Sequence, residues 1–258
     1  MRKVLGGGLL LMGGFAAGLV YLAPANKLLG LAGWQQSPQL QIHGVHGRLL
    51  HGRIDRLHSP QMPVDNLHWW LRPSALLLAQ AKLKLDLRWG GGISAQGFVS
   101  RGLTAEDTQL SDWKTRFPLA RLQPLLRLPL LPLEGELDLS LEQASLNDQG
   151  RPTAVSGEVL LRGLRWTLLK PAAALGDYAL RVSTQDDGTI VGELQDVEAA
   201  LGAQGSISLN PEGRYVVDLR LSPRPNTPPM IRNSLPTVGK LGSDGSYALR
   251  YEGRVPNW

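Results

Sequence analysis

All five histidines of the chain, His43, His46, His51, His58 and His68, fall within one short stretch. Imidazoles gathered this densely could hold a transition metal if three or four converged with a carboxylate such as Asp55 or Asp65. Their spacing argues otherwise. His43 and His46 have opposite parity and would point to opposite faces of an extended chain, and neither an H-E-x-x-H nor an H-x-H pairing occurs. Glu134 and Glu136 would share one face of a strand, as a carboxylate pair for acid–base work must. They alternate with leucines, however, and so read as the wet side of a half-buried strand. Neither G-x-S-x-G, G-x-G-x-x-G nor a phosphate-loop motif is present. The absence of cysteine removes thiol and iron–sulfur chemistry. The expectation is a protein that is not an enzyme, with no catalytic residue, no metal ligand and no cofactor. Tryptophan is the remaining resource, and among the seven, Trp69 and Trp70 are adjacent. In a strand they must face opposite ways, one into the core and one toward a contact surface.

The elements that would carry these residues have a period of two. Leu83, Leu85, Leu87 and Trp89 alternate with Lys82, Lys84, Asp86 and Arg88, and Leu137, Leu139 and Leu141 alternate with acids and serine. Tyr215, Val217, Leu219 and Leu221 repeat the pattern, as do Tyr247, Leu249 and Tyr251. Such alternation marks strands with one apolar and one polar face. The intervening Asn147–Gly150, Asp186–Gly188, Asn210–Gly213 and Ser243–Gly245 are turn sequences. Helical signal is scarce. Prolines confine a short helix to about 120–128, Thr227 and Pro228 suggest an N-cap and first position for a helix reaching about Leu235, and Ala172–Leu175 suggests a single turn. An apolar strand face must be buried against a second sheet or by curling. The fold expected is mainly β: an N-terminal transmembrane helix, then a curved or folded-over antiparallel sheet domain with a few short helices.

Met1-Arg2-Lys3 precedes an uncharged run of 20 residues, Val4–Ala23. At 1.5 Å per residue the run spans about 30 Å, the thickness of a hydrocarbon core. The flanking positive charges place the N-terminus in the cytoplasm. Gly14 and Gly18 form a G-x-x-x-G, and Tyr21 would lie at the outer interface. Ala23-Pro24-Ala25 resembles a signal-peptidase site, but the apolar run is longer than a signal usually carries. The domain plan is therefore a tail and anchor at 1–25 and a translocated β domain at 26–258, and the absence of cysteine suits an oxidising space such as a bacterial periplasm, which would make it a periplasmic domain.

The chain of 258 residues carries 27 Lys and Arg against 22 Asp and Glu, a net charge of +5. That balance suits weak attraction to anionic lipid or acidic protein, but no basic run of the kind that binds nucleic acid is present. A weak internal duplication, about 40–145 and 146–258, is visible as a Trp strand that ends at proline: Trp69, Trp70 and Pro73 in the first copy, Trp166 and Pro171 in the second. These five residues form the candidate contact or structural motif.

The N-terminal anchor, the Gly47-Arg48-Leu49-Leu50-His51-Gly52-Arg53 stretch and Leu67–Leu78 with its Trp–Pro–Leu–Leu core resemble protein N of the type II secretion system, the GspN family of Gram-negative bacteria. That family is itself similar to AsmA-like periplasmic proteins. The resemblance implies an accessory inner-membrane component that supports export of folded proteins across the outer membrane through contacts with other inner-membrane secretion components. The AsmA-like relation implies an alternative, a lipid-binding or lipid-transfer protein. Its groove for phospholipid would be lined by Leu83, Leu85, Leu87, Leu137, Leu139, Tyr215, Val217 and Leu219.

Overall fold

The computed structural model describes residues 41–58, 64–76, 78–89, 92–102, 107–121, 133–167 and 171–255. The anchor segment with Val4, Gly14, Gly18, Tyr21 and Ala23 lies outside them, as does most of the expected helix at 120–128. Among the described residues, no helix is long and apolar enough to cross a membrane.

Two compact units divide the chain near Leu103, with Gly91–Ile93 belonging to the second. The first holds β1 (Gln41–Gly47), β2 (His51–His58), β3 (Val64–Leu71), β4 (Gln80–Trp89) and nearly all of β5 (Ile93–Gly102), in that spatial order. A one-turn helix, α1 (Pro73–Leu76), joins β3 to β4. The second unit holds β6 (Thr108–Pro118), β7 (Leu133–Leu146), β8 (Pro152–Trp166), β9 (Ala173–Thr184), β10 (Ile190–Ala199), β11 (Leu201–Leu209) and β12 (Arg214–Pro223). It ends with α2 (Pro229–Val238), β13 (Lys240–Leu241) and β14 (Tyr247–Arg254), and β14 lies between β12 and β13. Each registered strand pair in both units is antiparallel.

The alternation seen in the sequence becomes two faces in the second unit, because directly paired residues share a face. One cross-strand row runs Thr115–Leu139–Val159–Leu180–Leu194–Gly205–Leu219–Leu249. The neighbouring row on the other face runs Lys114–Ser140–Glu158–Arg181–Glu193–Ser206–Asp218–Arg250. The charges in that row mostly alternate in sign, so strand slippage would place like charges opposite one another.

Two local expectations are corrected. Ala172–Leu175 is not a helical turn: β9 begins at Ala173 and pairs with β8 through Ala173–Trp166 and Ala174–Arg165. Ladder hydrogen bonds on this strand override the helical preference of three alanines. Thr227 does not cap α2 either. The cap position is Pro228, and the Thr227 hydroxyl donates to the Ala200 carbonyl at 2.6 Å while accepting from the Arg224 amide at 2.7 Å. The hydroxyl thus braces the chain to the start of β11 instead of closing the helix end.

The buried core of the second unit is a cluster of Leu164, Leu175, Tyr178, Ala199 and Ala203, with Leu161, Trp166, Leu194 and Ile231 packed against it. It sits at one end of the β8–β11 hairpins, under α2. Elsewhere along the apolar face the leucines and valines stay half-buried, and no large side chain among the described residues falls below 2% exposure.

Candidate functional site

In the first unit the two adjacent tryptophans diverge. Trp69 pairs with Leu85 on one side and Gly52 on the other, so its indole lies over a glycine. A Cβ at Gly52 would come within 2.3 Å of the Trp69 ring. Gly52 in turn faces Gly47, whose φ of 96° is open to glycine and strained for other residues. The indole N–H donates to the Leu49 carbonyl at 3.0 Å. The Gly47–Gly52 turn is therefore the bed on which Trp69 rests, which explains the glycines at both ends of that motif. Leu83, Leu85 and Leu87 share this face through their pairs with Leu71, Trp69 and Leu67.

Trp70 faces the other way and is 42% exposed. It stacks on His68 with ring centroids 5.9 Å apart, and the Lys84 ammonium lies 5.8 Å from its ring. Nearby, the Arg72 guanidinium sits 4.4 Å over Phe98, with Lys82 at 5.1 Å from the same ring. Pro73 opens α1 immediately beyond, exposed. On this polar face His46, Arg53, His68 and Asp86 form a cross-strand row. The His46 ring is 2.9 Å from an Asp55 oxygen, and the Arg53 guanidinium is 3.3 Å from the other. This arrangement ties carboxylate to cation and assembles no ligand shell. Among the described residues, no three histidine or carboxylate side chains converge in a way that could hold a metal ion.

In the second unit Leu137 and Leu139 on β7, and Tyr215, Val217 and Leu219 on β12, fall on the same apolar face. They are linked through Leu161, Val159 and Leu180 on the strands between. Trp166 ends β8 against the core cluster, and Pro171 is exposed just before β9. Shallow depressions in this unit open on the polar face. One is lined by Glu158, Arg181, Glu193, Gln204 and Ser206, and another by Lys114, Ser140 and Glu158.

One constellation had no counterpart among the sequence candidates. Asp196 falls on the apolar face opposite Tyr178, where the alternation calls for a hydrophobe. It accepts from the Arg224 guanidinium and, at 3.1 Å, from the Ala203 amide. Arg224 also donates to the Ala199 carbonyl at 2.7 Å. The Tyr178 hydroxyl donates to the Leu201 carbonyl at 2.9 Å, and burial, aided by the Asp196 charge, pushes its ionisation up to about 12. The network clasps the segment leading into α2 onto the ends of β9–β11. An acid out of place in the alternating pattern was its only trace in the sequence.

The profile of the family described as type II secretion system protein N matches residues 38–250. The chain belongs to the type II secretion system protein N family. Among its relatives, the type II secretion system protein N of Aeromonas hydrophila is 28% identical over 84% of this chain and 85% of its own length. That of Vibrio cholerae serotype O1 is 25% identical over 99% of this chain and all of its own length. That of Pectobacterium carotovorum subsp. carotovorum is 24% identical over 81% and 82%. No solved structure matches. The protein N match spans both β units, so the Trp69 bed and the Arg224 clasp lie within the region the family shares.

Proposed function

We propose that this chain is an accessory inner-membrane component of the type II secretion system that supports export of folded proteins across the outer membrane. In this reading Val4–Ala23 anchors it with the N-terminus in the cytoplasm, and the β units stand in the periplasm. It acts by binding other inner-membrane secretion components and carries out no catalysis. The observation that carries the reading is the family match over residues 38–250. Two features support binding as the mode of action: the exposed Trp70 on the cation-rich face of the first unit, and strand edges that stand open among the described residues and that a partner could extend. Deleting the gene in the native bacterium tests it. Secreted enzymes are expected to accumulate in the periplasm behind an intact outer membrane. Normal secretion would overturn the reading.

A second reading, phospholipid binding, draws on the half-buried apolar rows through Leu139, Leu180 and Leu219. It is the weaker of the two, since the two depressions described above open on the polar face of this unit. Native mass spectrometry of the full chain released from membranes separates them. Phospholipid retained at fixed stoichiometry would favour the lipid reading.

A further inference from the structure

Among the described residues, the last long strand of the second unit leaves most of one edge open. β13 pairs with β14 only at Tyr247 and Ala248, and Leu249–Arg254 extend beyond it. The direction of their backbone groups follows from the ladder on the other side. Arg254 is opposite Arg214, and the Val255 amide donates to the Gly213 carbonyl at 2.8 Å. That bond flanks a non-hydrogen-bonded pair, so the N–H and C=O of Arg254 turn away from β12. By the same alternation those of Glu252 and Arg250 turn outward too. Their side chains are exposed, as is Tyr251 at 58%.

We propose that this edge joins a second copy of the chain, β14 to β14, antiparallel about a two-fold axis through Tyr251. Charge and geometry select one register. An outward-facing residue must meet an outward-facing residue, which restricts the pairing to even-numbered partners. Arg250 opposite Arg250, or Glu252 opposite Glu252, would set like charges against each other. Arg250 opposite Glu252 of the second copy, and the reverse, matches both. Moving two residues further, to Glu252 opposite Arg254, leaves only the strand's last three residues overlapped. In the selected register each Arg250–Glu252 pair exchanges two backbone hydrogen bonds. The joint adds one more charge-matched position to the row that runs from Lys114 to Arg250. On the apolar face Tyr251 meets Tyr251, each beside a Tyr215 whose ring lies 6.0 Å away over Gly253. In the first unit, the β1 edge lacks this fitness. β1 is bent at Gly44, with φ of 67°, a device that blunts edges.

A joint of five residues per chain buries less than a stable soluble dimer needs, so the pairing belongs to chains concentrated in one membrane. The chain has no cysteine, which makes the test direct. Full-length Tyr251→Cys in native membranes is expected to form a disulfide-linked homodimer on mild oxidation, because position 251 is the closely spaced, non-hydrogen-bonded pair. Gln149→Cys, in the exposed turn after β7, serves as the collision control. Adding Arg250→Glu should lower dimer yield on the order of tenfold, and adding Glu252→Arg as well should restore it. Equal yields at 149 and 251, no dimer at 251, or indifference to the charge reversal would each overturn the proposal. Should the cysteine variant fail to accumulate, amide exchange on the unaltered chain decides. Protection at Arg250 and Glu252 must fall as the chain is diluted in the bilayer, and unchanged exchange refutes the pairing.

Discussion

Trp69, on the apolar face of the first unit, lies across Gly52 beside the β1–β2 turn, held by the Leu49 carbonyl at 3.0 Å. In the second unit the middle of the sheet carries half-buried leucines, and burial concentrates at one end, where Leu164, Leu175, Tyr178, Ala199 and Ala203 meet beneath the Arg224 clasp. A sheet with one wet face must find burial for the other somewhere. One unit does so with an aromatic plate on a glycine bed. The other folds its own C-terminal segment over the strand ends and fastens it with a charge-assisted network. The first solution depends on the absence of side chains at particular positions, and the second on their presence.

Trp69→Ala probes the first solution most severely. Removing the plate should cost about 3 kcal/mol, with faster amide exchange across β2–β4. The amides of β9–β11 are the internal reference, and equal loosening there would erase the contrast. Arg224→Ala tests the clasp. It strips the half-buried Asp196 of its cation and should cost about 2 kcal/mol in urea unfolding, with exchange rising first at α2 and Ala199. Tyr178→Phe removes the bond to Leu201 and should cost about 1 kcal/mol at neutral pH. Its pH profile sharpens the point. The folded phenol ionises near 12 and the unfolded one near 10, so the unfolded state releases its proton first. The stabilisation is complete below pH 10 and is lost as pH rises toward 12, and the Phe variant should show a shallower decline over that window. The smallest effect is expected at Asp138→Asn, which loosens the surface ion pairs with Arg116 at 2.7 Å and Arg162 at 3.3 Å. A loss of about 0.5 kcal/mol that shrinks with added salt would separate this pairing, whose two arginines are exposed, from the less salt-sensitive clasp.

The strands were legible because alternation is a local property: Leu83–Leu87, Leu137–Leu141 and Tyr215–Leu221 each announce a face without reference to any partner. Strand order was not legible, because alternation names a face but neither a neighbour nor a register. What sequence reading lost was non-local. Thr227 before Pro228 has the local signature of a helix cap, yet its hydroxyl is taken by Ala200, far back in the chain. Arg224 and Asp196 are similarly distant, and only the register of β9 with β10 brings Asp196 beside Tyr178 and within reach of the arginine. The regular alternation also breaks at Asn66 and Asp112, whose positive φ values of 56° and 50° insert bends that no propensity scale anticipates at those residues. Of the candidate sites, the motif around Trp69 was visible as residue types, but Gly52 as its bed required the pairing of β2 with β3.

From β7 to β12 successive strands pair across connections of at most six residues. Nearly every ladder bond in this stretch therefore closes a short loop, whose entropic cost is small and rises only slowly with length. Such a sheet can grow like a ribbon, each new strand annealing to the last as it emerges N-terminus first, without waiting for distant sequence. β14 is the exception. It must pass over α2 and β13 to reach β12, so the edge proposed to join two chains is also the last to form. A half-made molecule would thus lack the surface by which finished ones find each other.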